Sequence, residues 1–334
     1  LISVPSGDET DARLEASYTT NGSVVEVASA WYRGGFPFMD LYMPFDGGPA
    51  IAMLDFSGWD HPISFDPDTT LQPKWSATGG HNGAGAYHFD GNEFIEAGNI
   101  FPLSSSYTKT AWVNMEGDDF RNILGSTFNG VRDHHFKVNP DGTLNAGHSF
   151  GAAIVQDPAP LIIGQWYFVA VTFNYDNGEM ILYKDGVEVD YGIVHDTLRD
   201  VADAAVMVGA RSYIWGWKGF LDEPRIYDRA LSPEQISAMF NEGNDVIVPQ
   251  ETADEERWRL YATPFSATEA GTRVGTFALT IQGPEITDLS LDATSANNHT
   301  SDDLVETHTD GSAVVETATA WFKNGSPNSV LYLP

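Results

Sequence analysis

One stretch of the chain is written twice, at an offset of 290 residues. Around Trp31 the sequence reads VVEVASAWYRGGFPFMDLYMP, and around Trp321 it reads VVETATAWFKNGSPNSVLYLP. The offset superposes Val24 on Val314, Glu26 on Glu316, Pro37 on Pro327, Tyr42 on Tyr332 and Pro44 on Pro334. An ungapped match of this length makes the chain one period of a larger array plus the beginning of the next. The chain is therefore expected to start and stop inside a motif, as a piece of a longer protein or a repeating unit of an assembly.

Short alternating segments predict strands almost throughout. Residues 12–44 alternate around turns at Asn21-Gly22 and Gly34-Gly35. HHFKVNPDGTLNAGH reads as a hairpin around Pro140-Asp141-Gly142. QWYFVAVTFNYDNGEMILYKDGVEV reads as three strands, joined at Asp176-Asn177-Gly178 and Asp185-Gly186. One segment is helical in pattern: Ser232 is the N-cap, Pro233 opens the first turn, Ile236, Met239 and Phe240 follow at helical spacing, and Gly243 ends it. Strand texture returns over 250–283, and Gly283-Pro284 punctuates before the second copy. The fold class is all-β, as packed sheets with one short helix near 232–242.

The 47 acidic residues outweigh the 17 basic ones, for a formal charge of −30. A phosphate backbone or an anionic membrane would be repelled, so nucleic acid is excluded as a partner. Divalent cations are the natural complement to such a carboxylate excess. The chain has no cysteine, which rules out thiol catalysis, disulfides and Cys-ligated zinc. No apolar run is long enough for membrane insertion. Three glycosylation sequons begin at Asn21, Asn298 and Asn324.

Four motifs, in order, carry a resemblance: GAGAYHFDGNEFIEAGN, TKTAWVN, GQWYFVAVTFNYDNGEMILYKDGVEV and WKGFLDEPRIYDRALSPEQISAMF. Together they resemble a LamG-like jelly roll of the concanavalin A-like lectin/glucanase superfamily, covering residues 45–245. The flanks resemble an immunoglobulin-like sandwich. ATAWFKNG is similar to the strand with the core Trp, and ERWRLYATP to the strand packed opposite, which makes Trp31, Trp258 and Trp321 structural core residues. The matching disulfide positions are Ala16 and Leu260, so apolar packing would replace a bridge. This order implies a jelly roll inserted into the flanking domain. Residues 1–44 and 246–283 would be its two halves, and 284–334 the first half of the next repeat. The competing arrangement pairs 250–283 with 284–334. Large repetitive archaeal and bacterial surface proteins are similar in organisation.

No catalytic constellation is visible. The retaining glucanases of the superfamily need paired carboxylates, as in Glu-x-Asp-x-x-Glu, and no such pattern occurs. There is no Gly-x-Ser-x-Gly elbow. His134 and His135 point to opposite strand faces, so they cannot share one site, although His148 could face either. The resemblance implies a structural calcium on Asp90, Gly91 (through its carbonyl), Asn92 and Asp222. The bland alternative is that Asp90 shapes a turn and Asp222 accepts backbone hydrogen bonds. Tyr213, Trp215 and Trp217 alternate and would share a strand face, either as a sugar-stacking platform or as buried packing. The sequence therefore reads as a non-enzymatic structural repeat of an extracellular or cell-surface filament, sheath or array. Its partners would be neighbouring repeats or subunits that complete half-domains. The second reading is a carbohydrate-binding adhesin whose jelly roll takes glycans.

Overall fold

Turn chemistry sets the strand joints. Asp185 and Gly186 adopt φ of 50° and 77°, the left-handed pair required by a two-residue hairpin, and connect Glu179–Lys184 to Val187–Ile193. Gly34 and Gly35, at 61° and 96°, turn Glu26–Arg33 into Phe36–Pro37. The computed structural model describes residues 2–6, 13–20, 24, 26–100, 105–117, 121–126, 134–148, 154–195, 205–211 and 215–281. It also describes the strands Ile286–Ala293, Leu304–Asp310, Phe322–Lys323 and Ser326–Pro327.

Two sheets form a sandwich. The first runs Val187–Ile193, Glu179–Lys184, Trp166–Phe173, Tyr107–Met115, Lys218–Tyr227, Ala86–Asp90 and Lys74–Ser76, with Leu41–Tyr42 also on Lys218–Tyr227. The second is built from two ladders. One is Val155–Gln156, Leu144–His148, His134–Val138 and Arg121–Asn122. The other is Leu124–Ser126, Val206–Val208, Ile95–Glu96 and Ser64–Phe65. The Ile123 N–H donates to the Phe136 carbonyl at 2.8 Å and joins them. Tyr87, Phe89, Phe136, Val169, Val171, Leu182, Trp217 and Leu221 fill the space between the sheets.

The period of two sends alternate residues outward. Phe168, Ala170 and Tyr183 leave the first sheet on its other side and enter a second core with Ile236, Met239, Trp31, Trp258, Leu260 and Phe265. The last four belong to the flanking strands. Glu26–Arg33 pairs antiparallel with Arg257–Phe265 over eight positions, from Glu26↔Phe265 to Arg33↔Trp258. Trp31 and Trp258 meet edge to face at 6.5 Å, and both are buried. The three-stranded sheet of Ile2–Ser6, Arg13–Ser17 and Val246–Ile247 adds Leu14 and Ile247 to the same core. The flanking sheet thus closes its apolar face on the helix and the jelly roll as well as on neighbouring strands.

The helix spans Pro233–Glu242. Ser232 Oγ accepts the Gln235 N–H, and the Gly243 N–H donates to the Met239 carbonyl, which are the caps expected from sequence. The duplicated stretch also repeats in structure. Tyr32↔Pro37 and Arg33↔Phe36 close the first turn, while Phe322↔Pro327 and Lys323↔Ser326 close the second at the same offset. Trp321 lies outside the described residues.

One charged side chain faces the jelly-roll core. The Lys109 Nζ hydrogen-bonds His134 Nδ1 and donates to the Leu124 carbonyl. Burial holds Lys109 well below its ordinary value. The folded chain then binds fewer protons than the unfolded one, so this group's effect is that stability rises with pH until the unfolded lysine titrates. Lys109→Met is expected to flatten the rise between about pH 8 and 10 and to leave neutral-pH stability no lower. Urea midpoints across that range check it.

Candidate functional site

The four residues expected to share a cation are not brought together. In the Lys218–Tyr227 ladder Asp90 stands opposite Lys218, and Leu221 opposite Tyr87. Asp222 is therefore four residues further along, about 13 Å away at strand spacing. The Asp90 carboxylate is half-exposed and pairs with Lys74 Nζ at 3.2 Å. Asn92 and Asp90 donate their backbone N–H groups to Glu93 Oε2 at 3.1 and 2.6 Å. Gly91 makes the turn at φ 107°. The Phe-Asp-Gly segment is a self-contained turn.

Asp222 instead faces Asp46. Asp222 Oδ2 accepts from the His81 N–H at 3.1 Å and lies 2.8 Å from His81 Nδ1, and His81 stacks on Trp112 at 4.1 Å. Asp46 Oδ1 accepts the Gly85 N–H at 2.8 Å. The other oxygen of each carboxylate, Asp46 Oδ2 and Asp222 Oδ1, is buried without a hydrogen-bond partner. Burial, with Asp222 and Glu223 nearby, pushes Asp46 up to about 8. Burial pushes Asp222 up to about 6, against the His81 hydrogen bond. The loop between them has no room for side chains. A Cβ on Gly80 would lie 2.6 Å from the Gly85 carbonyl, and one on Gly85 would lie 2.3 Å from the Phe45 carbonyl. Two orphaned carboxylate oxygens beside close-packed carbonyls suit a hard cation. Both carboxylates are sealed from solvent, so no substrate can enter between them for acid–base chemistry. The sequence reading missed Asp46; its signal was the loop glycines Gly80 and Gly85, whose close approaches only the fold reveals.

The aromatic trio does not form a platform. Trp217 is fully buried, and its Nε1 donates to the Phe220 carbonyl at 3.1 Å. Trp215 sits in a bend at φ 52°, half-exposed, with the Arg211 guanidinium 5.6 Å from its ring. The strand begins only at Lys218, so the alternation expected over 213–217 is broken at Trp215. Tyr213 lies outside the described residues, as do Asn21, Asn298 and Asn324.

A polar row crosses the outer face of the second sheet. Register places Asn122 beside Lys137, Lys137 beside Asn145, and Asn145 beside Gln156. His135 lies diagonally from Asn145 on that face. Asn122 holds the Trp215 bend, donating its N–H and its Nδ2 to the Trp215 carbonyl at 3.1 and 3.0 Å. Burial, with Lys137 and Lys109 nearby, holds His135 well below its ordinary value. The ring is thus neutral, with one donor and one acceptor. Neither ring nitrogen, nor either end of the Asn145 amide, has a hydrogen-bond partner of ordinary geometry, although Asn145 is near enough to favour a proton on His135. The opposite hairpin face points inward. His134 pairs with His148, and His148 Nε2 lies 2.9 Å from the Tyr107 hydroxyl. Among the described residues no three His, Asp or Glu side chains converge as a metal cluster.

Comparison with known proteins bears on this sandwich. No curated protein matches the chain. Solved structures similar to it include domain 4 of AbnA, an extracellular arabinanase from Geobacillus stearothermophilus, in complex with arabinotriose. Identity is 22%, coverage 60% of this chain and 97% of that one, and the TM-score 0.49. The Ruminococcus gnavus IT-sialidase CBM40 bound to α2,3 sialyllactose is similar at 13% identity, 46% and 95% coverage, and TM-score 0.39. The receptor binding domain of botulinum neurotoxin D is similar at 12% identity and TM-score 0.45, and the match spans 61% of this chain and about half, 52%, of that one. Residues 79–237 match the family model of the concanavalin A-like lectin/glucanases superfamily, which agrees with the two-sheet sandwich formed there.

Proposed function

We propose that the jelly roll binds carbohydrate on the outer face of its second sheet, as a non-enzymatic module of an extracellular surface protein. The observation that carries this reading is the unpartnered His135 ring and Asn145 amide in the polar row. Buried groups without partners cost free energy, and sugar hydroxyls are donors and acceptors of the matching kind. Exposed Gln156 and half-exposed Trp215 flank the row and give a ligand its approach. On the first sheet the outer face around Phe168, Ala170 and Tyr183 is apolar and covered. On a glycan array the protein is expected to retain a neutral oligosaccharide. Asn145→Ala and Trp215→Ala should each weaken that binding about tenfold, the scale of one lost hydrogen-bonded or stacking contact. No bound glycan, or variants that bind as well as the parent, would end this reading.

Calcium belongs to the proposal at Asp46 and Asp222, with nearby carbonyls, in place of the Asp90 turn. A bound cation offsets the burial, and the nearby negative charge, that raise both carboxylates. Without it, a folded-state value above the unfolded one means that stability falls as pH rises from about 4 to about 8, and stays low above. At pH above that window Asp46→Asn is expected to raise the melting midpoint of chelator-treated protein by several degrees. Added calcium should raise the parent's midpoint and leave the variant's unchanged. Equal calcium shifts in both would remove the site.

The structural-repeat reading keeps one specific support, the turn duplicated at Phe36–Pro37 and Ser326–Pro327. In it, immunoglobulin-like halves of neighbouring repeats complete one another. End-to-end polymers in electron micrographs of the native material would favour it.

A further inference from the structure

With 17 basic residues against 47 acidic ones, an arginine without an acidic neighbour is an exception in this chain. Two stand together on Arg257–Phe265. Arg257 and Arg259 are exposed and alternate with buried Trp258 and Leu260. They therefore share the face turned away from the tryptophan core. Among the described residues neither guanidinium forms a salt bridge or hydrogen bond. Arg259 stands opposite Tyr32, whose ring lies 4.6 Å from that of Tyr261. A third guanidinium, Arg273, sits 5.4 and 5.0 Å from those two rings and donates to the Tyr32 hydroxyl at 2.5 Å.

A groove of about 720 Å³ runs across these residues. Its carboxylates are Glu255 and Glu256. Glu256 is already engaged by Arg33 at 3.5 Å and by Trp258 Nε1 at 3.0 Å. That leaves Glu255 against the two unengaged guanidinium groups of the lining, Arg257 and Arg259, with Arg273 on the adjoining tyrosine rings, a local positive field on a strongly negative molecule.

We propose that this groove binds a carboxylate-bearing saccharide, at a second site separate from the jelly-roll face. Paired guanidinium forks match a carboxylate bidentately. Paired tyrosine rings supply the flat apolar surface that a sugar ring covers. The volume is that of a small-ligand site. The ligand carries few charges, because the chain's −30 repels a densely charged polymer. Neither the LamG-like motifs nor the polar row contributes a residue.

Calorimetry with trigalacturonate, sialyllactose and their uncharged counterparts, at low and high salt, tests it. The acidic sugars are expected to bind, more weakly as salt screens the guanidinium groups, and the uncharged ones not to bind in this groove. Arg257→Gln/Arg259→Gln should weaken acidic-sugar binding by about tenfold or more. Neither side chain has an internal partner, so the melting midpoint should hold. Binding of neutral glycan should be unchanged in that variant, and acidic-sugar binding unchanged in Asn145→Ala, which separates this site from the jelly-roll one. Equal affinity for charged and uncharged sugars, or a double variant that binds acidic sugar normally, overturns the proposal. So does the absence of acidic-sugar binding alongside self-association or acidic-peptide binding that the double variant abolishes, which would give the groove to a protein partner.

Discussion

The Trp31–Trp258 contact holds the molecule's layout in place. It forms only because Glu26–Arg33 and Arg257–Phe265 come together across the whole jelly roll. Once formed, it lays an apolar sheet face over Phe168, Ala170 and Tyr183. Each such aromatic side chain contributes a few kcal/mol by leaving water, so the middle of the first sheet, at Phe168, Ala170 and Tyr183, is covered on both sides. The second sheet keeps the buried polar row, and the far side of the flanking sheet keeps exposed Arg257 and Arg259. The two proposed ligand sites follow from that covering.

Electrostatics sharpen the same division. The carboxylate excess lies at the surface almost everywhere, yet Asp46 and Asp222 are sealed in with one oxygen each unpartnered. Lys109 is sealed in too, beside His134. Solvation was given up at these groups, as it was at Arg225 and Asp157. Around Lys109 the missing water is replaced by a neighbouring ring and carbonyl, and at the aspartates by the His81 and Gly85 N–H groups.

Much of the fold was legible in the residues. Asp185-Gly186 and Gly34-Gly35 announced hairpins because few other pairs tolerate their backbone angles. Ser232-Pro233 and Gly243 bounded the helix for the same local reasons. The sites were harder. Asp222 was grouped with Asp90, which the register puts at the other end of the strand, because a sequence motif shows which residues are unusual but not which end of a strand they occupy. Trp217 and Trp215 alternate on paper, yet a left-handed bend at Trp215 parts them. The polar row of Asn122, Lys137, Asn145 and Gln156 needed the register of four strands. Only His135, Lys137 and Asn145, within one hairpin, could have been grouped beforehand.

The register of the flanking pair also has a mechanical meaning. Glu26 lies opposite Phe265, so the chain enters and leaves this ladder at the same end. Tension arriving through residues before 26 and after 265 would peel the ladder one hydrogen bond at a time, like a zipper, rather than shear all of them at once. On the N-terminal side the pairing of Arg13–Ser17 with Val246–Ile247 would meet that tension before the ladder does. The flanking sheet is then a yielding clasp at the base of the inserted sandwich.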